Sequence, residues 1–344
     1  MNININLGKN FVTAYNRMQA EYGEEFAKLN GLADAQLSYT DFIDNFVDTD
    51  TVADASVDGS ANVRSKGIVT LMHEMPKPHQ KLLALNKIYY ELNKQYGFAT
   101  ANEWLEAEWS KALYLHDAHS SSMVPYCFAY DLKDLAERGL FFIGGGFNAQ
   151  PAKHLTTFVD FVKEFVSYCA NSSAGACGLP NLIPYMYYFW SRDVEAGYYT
   201  VSPEKYAKQN IQRFIFAVNQ PAVRDCIQSA FTNTSVFDRE YLTALFGGQV
   251  FPDGKFMIDE IEEIMQFQKW YMEEMSEIRS VNMFTYPVST ISLVKKDGKF
   301  LDEEFAIWAC KHNMKWNDSN FFIDDSVSSL SNCCRLKSNI EDLG

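Results

Sequence analysis

The feature that most restricts the fold is an alternation of two hydrophobic periods along one chain. Long stretches repeat at helical spacing. KLLALNKIYYELNKQYG (81–97) places apolar residues three and four apart and stops at Gly97, and a second helix follows over Ala101–Trp109. LTTFVDFVKEFVSYCA (155–170) reads as one long helix. Residues 203–218 form another, opened by Ser202-Pro203 with Glu204 behind. Ile258–Ile278 is a long Glu- and Met-rich helix, and Asp302–His312 a shorter one. Between them lie short apolar or β-branched runs: Ala112–Asp117, Phe231–Phe237, Phe284–Leu293 and Phe321–Ile323. Helix and strand in turn predict an α/β architecture, with crossover connections and a parallel sheet whose strand ends gather functional groups. The stretch to about residue 60 is acidic and ends in a small polar run at 54–62, so residues 1–60 read as an N-terminal arm and linker.

Composition narrows the function classes. The 344 residues carry 30 Lys+Arg against 44 Asp+Glu, a formal charge of −14, which argues against broad electrostatic nucleic-acid binding. Apolar residues at 47% and charged residues at 22% are an ordinary globular balance. No apolar run reaches membrane-spanning length, and the first residues lack a basic-then-apolar leader, so a cytoplasmic protein is expected. Seven irregularly spaced cysteines with no C-x-x-C give no disulfide framework and no zinc ribbon.

The sharpest local feature is Cys333-Cys334, within SLSNCCRL on a Ser/Asn-rich tip. Arg335 would favour a thiolate there. Two ordinary loop thiols is the simpler reading from spacing alone. Cys127, in MVPYC, is a small buried hydrophobe unless the fold brings it to Cys334, in which case the two thiols can cycle with a disulfide and supply two electrons. His116, Asp117 and His119 are close in sequence, but His116 and Asp117 on a strand would point apart, which weakens a joint metal site. The turn Gly144–Gly146 and the small-residue loop 171–178 offer backbone N–H groups for phosphate, without matching a dinucleotide or Walker fingerprint. Asn233 and Ser235 in SAFTNTS either bind hydroxyl or phosphate groups at a strand end or satisfy buried backbone. The aromatics Tyr185–Trp190 read as core, and the 258–278 helix as a solvated amphipathic one.

Taken in order, MPKPHQKLLALNKIYYEL (75–92), LYLHDAHSSSMVPYCFAYDL (113–132), the 147–190 segment, RFIFAVNQPAVRDCIQSAFTNTSVFD (213–238) and MKWNDSNFFIDDSVSSLSNCCRL (314–336) resemble the anaerobic, class III glycyl-radical ribonucleoside-triphosphate reductases. The resemblance covers roughly residues 60–344 and lies in the combination of segments. It implies a ten-stranded α/β barrel of two five-stranded parallel halves with a finger loop threaded through it. Residues 61–344 would be the first half, ending at that loop. Cys334 would bear the thiyl radical, with Cys333 the less favoured bearer. Cys127 would match the first-strand cysteine on the opposite face of the ribose. Asn233 and Ser235 would line the substrate pocket.

The same resemblance implies partners. These are a ribonucleoside triphosphate substrate, ATP and deoxynucleotide effectors near a homodimer interface around Phe147–Phe161, and a radical S-adenosylmethionine iron–sulfur activase; nucleic acid and membrane are not among them. No ATP cone is recognisable in the arm. The second barrel half, with its zinc-binding cysteines and glycyl-radical loop, has no counterpart in the 344 residues, and Gly344 is not in the radical motif. A complementary C-terminal half is therefore expected, to supply the glycyl radical and to cover an open sheet edge. Neither a metal nor a covalently bound cofactor is expected on this chain. The competing readings are another glycyl-radical enzyme of pyruvate formate-lyase type, which also uses an adjacent cysteine pair, and a non-catalytic nucleotide-binding or assembly fragment.

Overall fold

A computed structural model describes residues 6–30, 32, 38–48, 68–115, 117–121, 124, 126–141, 148–220, 222–223, 228–331 and 337–339. The chain divides into two units, one reaching to Tyr126 and the other comprising almost everything from Cys127 onward.

The first unit is helical: α1 (Lys9–Tyr22), α2 (Glu24–Leu29), α3 (Tyr39–Asp48), α4 (Ile68–Glu74), α5 (Lys77–Tyr96), α6 (Phe98–Trp109) and the single turn α7 (Ala118–Ser121). Gly97 separates α5 from α6 as the sequence suggests. Its φ of 87° suits glycine, and its N–H closes α5 on the Asn93 carbonyl. Trp109 is the centre of the core, with Phe11 and Phe26 meeting it edge-on at 5.4 and 5.3 Å. Helices from both sides of residue 60 thus share one core, while the 54–62 run lies outside the described residues.

The strand expected at Ala112–Asp117 does not form. After α6 the chain turns through Lys111 at φ 64°, and the buried Glu108 carboxylate takes the Leu115 N–H at 2.8 Å. Leu113 and Tyr114 are left exposed. A local hydrogen bond from the end of the helix competes successfully with extension of this apolar run.

The second unit begins with β1 (Phe128–Ala129), α8 (Lys133–Arg138), α9 (Leu155–Asn171) and β2 (Cys177–Leu179). It continues with α10 (Leu182–Ala196), α11 (Pro203–Val218), β3 (Thr232–Phe237) and α12 (Arg239–Phe246). A 3-10 turn leads into α13 (Ile261–Val281), then β4 (Val288–Lys296), β5 (Lys299–Phe300), α14 (Glu303–Trp316) and β6 (Ser319–Asp324). Strands β1, β2, β3, β4 and β6 lie side by side in that order and all parallel, every connection passing through helices; β5 folds back antiparallel on the end of β4. This is the parallel sheet that the α/β pattern predicts, with the five parallel strands that the resemblance implies for a first barrel half. A last antiparallel pair, β7 (Ser329–Ser331) with β8 (Lys337–Asn339), follows β6.

Helix boundaries follow local chemistry. Ser202 caps α11, accepting from Lys205 N–H with Pro203 at the first position. Asp238 and Asp302 cap α12 and α14 in the same way. The 183–190 aromatics are core as expected, and they belong to α10. The α13 helix is far less solvated than expected. Ile264, Phe267, Tyr271, Met272 and Met275 enter the main core, and Gln268 is fully buried.

Candidate functional site: the polar face of the sheet

Strand register separates two faces with different chemistry. Ala129, Gly178 and Asn233 are neighbours across β1, β2 and β3, and Ser235, Thr290 and Asn320 across β3, β4 and β6. By alternation, Ser292 shares their face while Cys177, Leu179, Val236, Ile291 and Leu293 share the other. The second set belongs to the apolar core. The first set is small and polar, yet Asn233, Ser235, Thr290 and Ser292 are all buried.

β7 packs against β4, and Ser329 Oγ donates at 2.5 Å to Asp324 Oδ2, whose side chain alternation puts on the polar face. The Tyr241 hydroxyl donates to the Ser326 carbonyl at 3.3 Å and holds the approach to β7. Ser331 pairs with Lys337, so this ladder brackets the segment that carries both adjacent cysteines. Cys333, Cys334 and Gly344 lie outside the described residues, as do Gly144–Gly146 and His116.

Cys127 is half-buried at the entry to β1, and alternation carries it to the face of Ala129 and Gly178. Its Sγ accepts the Ala176 N–H at 3.2 Å, and the Phe128 N–H returns to the Ala176 carbonyl at 3.0 Å. This changes the reading of the 171–178 loop. Its last residues start β2, and the Ala176 N–H is committed to sulfur, so it does not serve a phosphate cradle.

Of the two roles left open by the sequence, Asn233 shows the satisfaction of buried backbone. Its Nδ2 donates to the Val288 carbonyl at 2.9 Å and to Thr290 Oγ1 at 3.0 Å, so the amide ties β3 to β4 from the polar face. Thr290, Ser292 and Asn320 were not singled out from the sequence. The signal was present in TISL (290–293), where hydroxyl and aliphatic residues alternate. Gly178, between Ala129 and Asn233, leaves the face without bulk at its centre.

Titratable groups frame the face. On the helical side, Tyr130 donates to Cys169; burial pushes both the phenol and the thiol above their usual ranges, and Cys169 and Cys177 add to the effect on Tyr130. At the far end of β3, burial pushes the Asp238 carboxyl up to about 6, even though the Tyr241 and Val294 N–H groups bind it at 2.9 and 2.6 Å. At the start of β6, burial opposes the Asp318 charge, but hydrogen bonds from His312, Ser276 and Ser319 outweigh it and hold the carboxyl at about 2. Ser276, His312 and Asp318 are not a nucleophilic relay. Ser276 Oγ (3.3 Å) and Asp318 Oδ1 (3.2 Å) approach the same ring nitrogen, Nε2, and Ser276 Oγ donates directly to Asp318 Oδ2 at 2.5 Å. The trio clamps α13, α14 and β6 together.

Among the described residues no group of three or more His, Cys, Asp or Glu side chains is placed to hold a metal ion, and no helix is long and apolar enough to cross a membrane. Asp117, at φ 51°, accepts from the Tyr126 hydroxyl at 3.4 Å, in a turn and not at a strand end.

Comparison with known proteins agrees with this geometry. The family profile described as anaerobic ribonucleoside-triphosphate reductase matches residues 77–342. The crystal structure of the anaerobic ribonucleotide reductase from Thermotoga maritima in complex with dATP and CTP is 37% identical, with a TM-score of 0.79, over 95% of this chain and 52% of that one. The structure of that reductase with dATP bound in the specificity site gives 38% identity and a TM-score of 0.78 over the same shares. Another anaerobic ribonucleotide reductase structure is 39% identical with a TM-score of 0.78, covering 94% of this chain and 50% of that one. The chain therefore spans about half the length of these solved relatives. No match was found among curated proteins.

Proposed function

The chain belongs to the anaerobic ribonucleoside-triphosphate reductase family, and from that premise we propose that its second unit is the cysteine-bearing half of such a reductase, converting ribonucleoside triphosphates to deoxyribonucleoside triphosphates by thiyl-radical chemistry. The observation that carries this reading is the position of Cys127. Alternation puts its sulfur on the polar face of the sheet, and β7, which with β8 brackets Cys333 and Cys334, contacts β4 and bonds through Ser329 to Asp324 of the same face. A ribose held between these two regions would have a thiol on each side.

In this reading Cys334 takes the hydrogen from C3′ of the ribose as a thiyl radical and returns it at the end of the cycle. Between those events the 2′-hydroxyl leaves as water and Cys127 delivers hydrogen to C2′. The net change is two electrons and two protons added and one water released, with formate or a dithiol as the ultimate reductant. Ser235, Thr290 and Asn320 offer hydroxyl and amide groups to the sugar or phosphates, while Asn233 holds β3 and β4 at the spacing these contacts need. A glycyl radical supplied by the portion of the reductase that this chain does not cover would generate the thiyl. A radical S-adenosylmethionine activase would install it, and zinc would bind in that same uncovered portion. The solved relatives bind dATP and CTP; by analogy this chain would bind an effector deoxynucleotide and a ribonucleoside triphosphate, within a homodimeric assembly.

The test is anaerobic recovery of the tagged chain from its host, with identification of bound polypeptides and assay of deoxynucleotide formation. Recovery of a glycyl-radical segment together with turnover supports the reading. Cys334→Ala is expected to abolish turnover while nucleotide binding persists. Wild-type turnover in that variant would remove Cys334 from the mechanism, and an active complex that reduces no nucleotide would overturn the assignment.

A further inference from the structure

The helical layer of the second unit contains a cavity that the reductase reading leaves unused. It is open to solvent on one side, has a volume of about 570 Å³ and is lined only by residues of α10, α11 and α13, with none from the sheet. Its floor is aromatic. Trp190 and Phe267 have ring centroids 5.3 Å apart, and Phe267 and Trp270 5.5 Å. Its rim is acidic. Glu195, Glu204, Glu262 and Glu263 line it, and no Lys, Arg or His does. Glu262 is paired to Arg239 and Glu195 to Arg192, whereas Glu204 and Glu263 have no ion-pair partner among the described residues.

This combination selects for one ligand chemistry. Carboxylates with no lining cation repel phosphates, so the cavity is unsuited to a second nucleotide. Hard metal ions need several converging oxygens, and most of the lining is hydrocarbon and ring. An ammonium group on an apolar stem satisfies both parts. The stem covers ring faces, and the charge meets the π-clouds and the two unpaired glutamates. The volume falls in the range of small-molecule sites, roughly 300–1,000 Å³. We propose that this cavity is a binding site for a small aliphatic polyamine, separate from the polar face of the sheet.

Calorimetric titration of the whole chain with spermidine, at fixed ionic strength, tests this; octanediol serves as a neutral counterpart. Spermidine is expected to bind with one-to-one stoichiometry and octanediol not at all. Trp270→Leu leaves the net charge unchanged and is expected to weaken spermidine roughly tenfold, the scale of a desolvated cation–π contact. Glu263→Gln, at an exposed position, should weaken it severalfold. Circular dichroism checks that each variant is folded, and the glutamate variant keeps the test decisive if the tryptophan variant is not. Unchanged affinity in both variants would mean diffuse attraction to an acidic surface and would overturn the site. So would binding of a lysine-rich peptide where spermidine gives no signal.

Discussion

The two faces of one sheet carry the same backbone and different chemistry, although Thr232, Thr234 and Ser289 fall on the helical side and Phe237 on the other. On the helical side, Leu179, Val236, Ile291 and Leu293 are buried in a continuous apolar core. On the other, Asn233, Ser235, Thr290 and Ser292 are buried just as deeply, among polar neighbours. Burial alone therefore does not separate scaffold from site in this protein. What separates them is whether the buried atoms gain from leaving water or must find partners once they have left it. The helical face stabilises the fold. The polar face costs stability unless each group is satisfied.

This contrast gives a graded set of tests. The largest effect is expected for Ile291→Ala, which opens a cavity under the helices and should lower unfolding free energy by about 2–5 kcal/mol in denaturant titrations. A loss below about 1 kcal/mol would mean that the helical face is not packed as described.

The sheet's two ends provide a second test through pH. Asp318, held at about 2, contributes stability that is present above the unfolded value near 3.8 and is lost as pH falls toward 2. Asp238, pushed up to about 6, acts with the opposite sign: its fold favours the protonated form, so stability falls as pH rises from about 4 to 6 and is then level. Each contribution is about 2–3 kcal/mol by linkage. Asp318→Asn should remove the acid-side slope, and Asp238→Asn the slope between pH 4 and 6, in denaturant melts across that range. Identical profiles in wild type and variants would show that neither group is shifted.

On the polar face the effects on stability are smaller and those on activity larger. Asn233→Ala removes two cross-strand bonds and is expected to cost about 1–2 kcal/mol, together with loss of reduction in the reconstituted complex. The smallest stability effect, within about 0.5 kcal/mol, is expected for Ser235→Ala. Its readout is weaker substrate binding, measured by equilibrium dialysis with a ribonucleoside triphosphate. If Ser235→Ala leaves binding unchanged and Asn233→Ala affects only stability, the polar face is a structural seam.

Much of this arrangement was legible in the sequence, for identifiable reasons. α11 spans the residues expected because Ser202, Pro203 and Glu204 supply a cap, a fixed φ and a favourable first-turn charge together. Gly97 was readable because a left-handed position after a periodic run has few other occupants. α10 was harder. LIPYMYYFW is apolar on every side and shows neither period, so its helical state is set by its burial between neighbours. The misread strand at 112–117 shows the converse: Leu113 and Leu115 look like strand residues, but the Glu108 carboxylate seven positions before Leu115 decides the path. At the site, Cys127, Asn233 and Ser235 were named from the sequence. Thr290, Ser292 and Asn320 became visible only once register put them beside those residues.

Gln268 has a consequence of another kind. β2 pairs with β3 only as far as Thr234, so the backbone of Phe237 on that side has no neighbouring strand. The Asp238 N–H points to β4, which turns the Phe237 N–H and carbonyl toward the vacant side. The buried Gln268 amide takes both, at 3.0 and 2.9 Å. One side chain thus imitates a peptide unit and completes the ladder beyond the end of the neighbouring strand. Without it, as in a Gln268→Leu chain, the Phe237 N–H and carbonyl would stay buried with no partner, at a cost of about 1–3 kcal/mol for each group.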